Sequence, residues 1–269
     1  MRNLIVLLPL LLLCLSLGAC GEQASLLEEG NLEDEVYGKG GSAGGLGVTS
    51  KDPGDVGTIR GVVRFEGRPY KRAPIQMATD KFCTNANPSG LLSENFVFDK
   101  ETGGLANVMI YIQLGMNMKF DPPSEPLVLD QIGCRYVPHM ALLQVGQALI
   151  VKSQDNTLHN VHGISKNNGE FNKTMSAPGV LPAMYYDKPE SGAPVLIKCD
   201  VHGWMKSYIA VLRHPFCAIT DEKGNFEIKG VPPGNYQIMV WHEFLGDQPM
   251  PVTLTKNQTL ELEPIVFTR

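Results

Sequence analysis

The sequence predicts an all-β protein. Its 269 residues include 28 glycines and 19 prolines, and its apolar stretches are short runs bounded by Gly, Pro, Asn or Asp, none with the spacing of a helix of three turns. The long proline-bearing connections favour packed antiparallel sheets, in sandwiches, over a repeat array.

The first nineteen residues read as a targeting segment. Arg2 supplies the positive start and Leu4 to Leu17 the apolar run, too short to make a good membrane span. Leu17, Gly18, Ala19 and Cys20 resemble a bacterial lipobox, which implies cleavage before Cys20, acylation of that residue and anchorage to a membrane through lipid. Gly21, where some lipoproteins carry Asp, favours the outer membrane, facing the periplasm. Residues 20–57 are rich in Gly and acid and are expected to be a disordered tether. They carry eight acidic and two basic residues, whereas residues 58–269 carry twenty of each. The globular part therefore presents no basic field for nucleic acid.

Strands are predicted over Thr58 to Phe65, Asn107 to Leu114 and Met140 to Lys152. Further strands follow over Val195 to Lys198, Ser207 to Leu212, Phe226 to Lys229, Tyr236 to His242 and Leu260 to Phe267. Each is apolar or alternating and ends in turn residues.

The segment KCDVHGWM sits between two of these strands. It places the Cys199 thiol, the His202 imidazole and the Met205 thioether three positions apart, a spacing that lets them share one ion only if the chain turns, which Gly203 assists. LHNVHG, upstream, adds His159. Two His, one Cys and a weak axial Met are the ligand types of a blue-copper electron-transfer site. Zinc fits less well, since structural zinc does not usually recruit a thioether. His162, three residues along a strand from His159, faces away and is left unliganded. His139 and His214 read as polar strand-end groups, and His242 with Glu243 as a solvated strand end.

The stretch CRYVPHMALLQVGQALIVKSQDNTLHNVHG resembles the central strands of plastocyanin and amicyanin, and KCDVHGWM resembles the short ligand loop of amicyanin. The resemblance implies a cupredoxin-like Greek-key sandwich holding one type 1 copper on His159, Cys199, His202 and Met205. It also implies a bond between Asn160 and the residue after the Cys, here Asp200. Two positions depart from amicyanin: Gly203 stands where Pro is usual, and Asp200 where a hydroxyl residue is usual. His202 is expected to be the exposed edge that faces a redox partner such as a c-type cytochrome, with Leu158 and Trp204 rimming the contact.

The segment ITDEKGNFEIKGVPPGNYQIMVWHE resembles the regulatory-like domain of carboxypeptidases, a small transthyretin-like sandwich. GTIRGVVRFEGRPYKRAPI and GGLANVMIYI resemble its first strands, so the copper module reads as an insertion. The expected division is a signal over 1–19, a tether over 20–57 and a β region over 58–126. The copper domain then spans 127–213 and the regulatory-like domain 214–269.

Of six cysteines, Cys14 leaves with the signal, Cys20 takes lipid and Cys199 takes copper. Cys83 and Cys134, in turn-rich segments flanking the start of the copper module, are expected to form a disulfide, leaving Cys217 as a buried thiol. No hydrolytic triad, phosphate-cradling loop or catalytic carboxylate pair is evident, so the chain reads as an electron carrier and not an enzyme. The competing readings are a copper chaperone or store, which Met116 and Met118 could feed, and a non-redox adhesion or carbohydrate-binding module.

Overall fold

In a computed structural model the described residues are 47–48, 53–190 and 192–269. The targeting segment, Cys20 and most of the expected tether lie outside them. The end of the tether is ordered where it is described: Gly47–Val48 is a short strand, β1, and Pro53–Asp55 a 3-10 turn.

Two sandwiches make up the described fold, which is all-β as predicted. The copper-motif sandwich runs from residue 127 to 212. One of its sheets holds β4 (Leu127–Gln131), β5 (Tyr136–Val137), β7 (Leu149–Ser153) and β10 (Gly179–Val180) in the order β10-β7-β4-β5. The other holds β6 (Met140–Gln144), β8 (His159–Ile164), β9 (Phe171–Met175), β11 (Val195–Lys198) and β12 (Lys206–Leu212) in the order β6-β12-β11-β8-β9. β4 pairs with β7, and β6 with β12, in parallel. Such pairs need crossovers, which here pass between the two sheets and interlock them.

Strands from both sides of this module build the second sandwich. β2 (Gly57–Glu66) pairs with β14 (Asn225–Val231), β17 (Thr259–Glu261) and β18 (Ile265–Thr268). β3 (Met109–Leu114) lies between β13 (Cys217–Ile219) and β15 (Gly234–His242), and β15 also pairs with β16 (Gly246–Leu254). The turn Asp221 to Gly224 opens β14. Asp221 Oδ1 accepts the N–H groups of Lys223 and Asn225, and Gly224 has φ +81, where a Cβ would stand 2.1 Å from the Val63 carbonyl oxygen. Only Gly fits there.

Alternation along three strands joins the sandwiches. In β12, Ile209 and Val211 point into the copper-motif core while Ala210 and Leu212 point out; in β15, Ile238 and Val240 enter the second core while Met239 and Trp241 point out. β3 repeats the pattern with Ile110 and Ile112 inside and Met109 and Tyr111 outside. The outward sets meet Met140 in a third buried cluster. Strands buried on both faces read as continuous apolar runs, which is how these segments appear in the sequence.

The predicted run Met140 to Lys152 is two strands, β6 and β7, with Gly146 at φ +81 between them. The run Leu260 to Phe267 likewise divides into β17 and β18. Among the described residues there is one α-helix, α1 (Lys81–Ala86), started by Asp80, whose carboxylate accepts the Cys83 N–H at 3.1 Å. Cys83 and Cys134 are joined as expected, across 51 positions. Cys217 is free and half-buried. No helix among the described residues is long and apolar enough to cross a membrane.

Replacing Cys83 and Cys134 together by Ser is expected to cost about 4 kcal/mol of stability, the chain-entropy value for a loop of this length. The midpoint of denaturant unfolding measured against the unaltered chain reads that loss.

Candidate metal centre

His159 opens β8, next in the sheet to β11, whose last residue precedes Cys199. Strand alternation buries His159 and Val161 and turns His162 toward the surface. After β11 the chain turns back into β12, and the turn is closed from within. The Met205 N–H donates to the His202 carbonyl at 2.8 Å, the Cys199 N–H to the Met205 carbonyl at 3.1 Å, and the His202 N–H to the Cys199 sulfur at 3.4 Å. Asn160 staples this turn to β8. Its Oδ1 accepts the Asp200 N–H at 2.7 Å and its Nδ2 donates to Asp200 Oδ2 at 2.9 Å. The same Asp200 carboxylate lies beside Lys198 and His162, which hold it well below the usual carboxylate range.

The ligating atoms of His159, Cys199 and His202 all lie within 4.8 Å of one another. His159 Nδ1 faces His202 Nδ1 at 3.0 Å, and Cys199 Sγ is 4.0 Å from the latter. Met205 is buried in the same core cluster as Cys199.

A carboxylate stands behind each imidazole. His159 Nε2 lies 3.0 Å from Asp155 Oδ2, and His202 Nε2 lies 3.1 Å from Asp80 Oδ2. With the two Nε2 edges taken up by carboxylates, the two Nδ1 atoms face one another beside a thiol. A cation is what such a spot accommodates. Carboxylates in this position fix the tautomer and orientation of metal-binding histidines. The donor set therefore fits copper, for which soft sulfur and neutral imidazole are suited in both oxidation states.

Asp155 is itself held by the main chain. Gly133 and Cys134 both have positive φ, 61 and 58, which aims their N–H groups at the two Asp155 oxygens, each at 2.7 Å. Asp80 accepts from Thr157 Oγ1 at 2.7 Å as well as from α1. Tyr136 completes the floor, its buried hydroxyl donating to the Asn160 carbonyl at 2.6 Å.

Burial alone would lower the pKa of His159, but the Asp155 bond and the Cys199 sulfur outweigh it and raise the value to about 9. Burial opposes the Cys199 thiolate too, yet His159 and backbone N–H groups bring its pKa below the usual thiol value. His202 is lowered, by burial and by the charge on His159.

The expectation that His202 is an exposed edge is corrected. Its exposure is 3%, because Asp80 and Cys83 at the start of α1 cover Nε2 and the Trp204 ring covers its face. Leu158 is exposed at 45%, and Trp204 is half-buried. His242 and Glu243 are not a solvated strand end either: His242 is buried, and the half-buried Glu243 turns its side chain inward to bond His139. His214 is buried and bonded to the Ile112 carbonyl. His162 pairs with Asp200 and Glu170, away from the cluster.

Three residues of the site were not singled out in the sequence. Asp155 is four positions before His159 and carried a usable signal, an acid upstream of a liganding His. Asp80 and Tyr136 had none, since their roles depend on contacts far along the chain.

No protein-family model matches this chain, and no curated protein matches it. Among solved structures, a Cu(I) amicyanin variant is similar at 16% identity and TM-score 0.28, over 32% of this chain and 81% of that one. A purple cupredoxin from Nitrosopumilus maritimus is 15% identical with TM-score 0.27, over 32% of this chain and 98% of that one. The copper nitrite reductase NirK of Thermus scotoductus SA-01 is 17% identical with TM-score 0.30, over 35% of this chain and 26% of that one.

Asp155→Asn removes one acceptor oxygen, so the side chain no longer serves His159 and both N–H groups. Copper affinity is expected to fall by about 10–100-fold, measured by competition against a chelator. In the unaltered chain copper displaces the His159 proton, so affinity should rise about tenfold per pH unit from neutral pH and level off above a pH of about 9. Titrations at stepped pH check the slope.

Proposed function

We propose that this protein is a type 1 copper protein that carries single electrons, in which His159, Cys199, His202 and Met205 would hold the copper. The observation that carries the reading is the convergence of two carboxylate-backed imidazole nitrogens and one thiol on a single buried point. Bound copper would supply the cuprous–cupric couple. The chain's part is to keep the cage unchanged between the two states. Asp155 and Asp80 fix the imidazoles, Asn160 fixes the ligand turn, and the disulfide-linked cap excludes water.

In this reading the protein is a carrier and not an enzyme. It is held to a membrane by lipid on Cys20, faces the periplasm, and exchanges electrons with a redox protein such as a c-type cytochrome. Storage or chaperoning of copper is less well supported, because Met116 lies in the core of the second sandwich and Met118 packs against that core. Neither forms a path to the site.

Loaded with cupric ion, the chain should bind one copper and show the intense visible absorption of a copper–thiolate bond, with a reversible voltammetric wave. Cys199→Ser should lose the band while remaining folded by circular dichroism. A colourless wild-type protein at full copper occupancy would refute the carrier role.

A further inference from the structure

The cap over His202 raises the question of how an electron reaches the centre. The Nε2 edge is closed by Asp80, at 3.1 Å, and by the Cys83 sulfur, at 3.8 Å, and the disulfide ties that sulfur to Cys134. His159 and Cys199, also against His202, are fully buried. Trp204 is different. Its ring lies against the His202 imidazole with centroids 4.9 Å apart and planes at 40°, and its Nε1–H donates to the Cys134 carbonyl at 3.0 Å, which fixes the indole in that position.

Trp204 also lines an open groove of about 460 Å³, with Ile75, Asn95, Arg135, His139 and Gly203 among its other walls. The groove is bounded by the copper-motif sandwich, by the segments before and after α1, and by Glu243 of the second sandwich. Electron transfer weakens steeply across gaps and least through conjugated groups in van der Waals contact. Asp80 reaches solvent as well, but it offers only saturated bonds and a negative charge. The indole offers a π system touching the imidazole on one side and the groove on the other.

We infer that Trp204 is the relay through which electrons pass between the metal centre and the groove, in place of the edge of His202. The inference rests on the carrier reading and specifies its port. Trp204 acts through His202 and is a positioning residue. Its indole N–H keeps the ring on the imidazole, and the groove admits a redox partner to within contact of the ring.

The test is stopped-flow oxidation of the full-length, cuprous protein by ferricyanide. Trp204→Leu should slow it by at least about tenfold, a barrier increase of about 1.4 kcal/mol, with the visible band, copper content and potential of the cupric form unchanged. A purely structural role would move the band or the potential. Gly203→Leu is the second variant: apart from its two chain neighbours a Cβ there meets nothing within 4 Å, so the side chain has room to stand in the groove that Gly203 lines, and with the visible band unchanged it too should slow the reaction. Unchanged rates in Trp204→Leu with a normal band overturn the relay. If Trp204→Leu loses its band, Gly203→Leu decides, slowing supporting the port and an unchanged rate overturning it. A wild-type chain without the band refutes the carrier reading itself, whereas a normal band with unaffected rates refutes only this route.

Discussion

Two imidazole nitrogens held 3.0 Å apart, Nδ1 toward Nδ1, set the terms for the rest of this molecule. Left to themselves the rings would rotate apart. They stay because each is bonded from behind to a carboxylate, and each carboxylate is bonded in turn to main-chain N–H groups or a hydroxyl. The polar groups are buried but satisfied, which is the condition under which such a network stiffens a core instead of weakening it.

The disulfide belongs to the same construction. Cys134 supplies one of the N–H groups that grip Asp155, and Cys83, in the first turn of α1, donates its N–H to the capping Asp80. One covalent link therefore fixes the spacing between the supports of both imidazoles. His159, buried between the Asp155 carboxylate and the Cys199 sulfur, has its pKa raised to about 9, a pairing that offsets the cost of burying its charge.

Much of this was legible in the chain. KCDVHGWM and HNVH declare their donors by residue type and spacing, and the apolar runs around them declare strands. What was hidden depended on contacts between distant segments. Nothing about ATDKFC says that Asp80 will stand behind His202, and so the ligand that spacing marks as the exposed one turns out to be covered. The pair His242 and Glu243 looks like a solvated end because local pattern does not reveal that the copper-motif sandwich packs there and supplies His139 as a partner. Met140 to Lys152 reads as one strand because its reversal at Gly146 lacks the proline or asparagine that marks most of the other breaks.

The threading of one sandwich between the strands of the other orders events at the ribosome. β2 and β3 are made before the copper-motif sandwich, and β13, β14 and β15, with which they pair, are made after it. Until then β2 and β3 lack these partners, and such unpaired edges invite association with other chains. The early completion of the inner unit brings those distant strands together, because its own two ends emerge side by side. The inner module thus also serves as the clamp on which the outer sandwich is assembled.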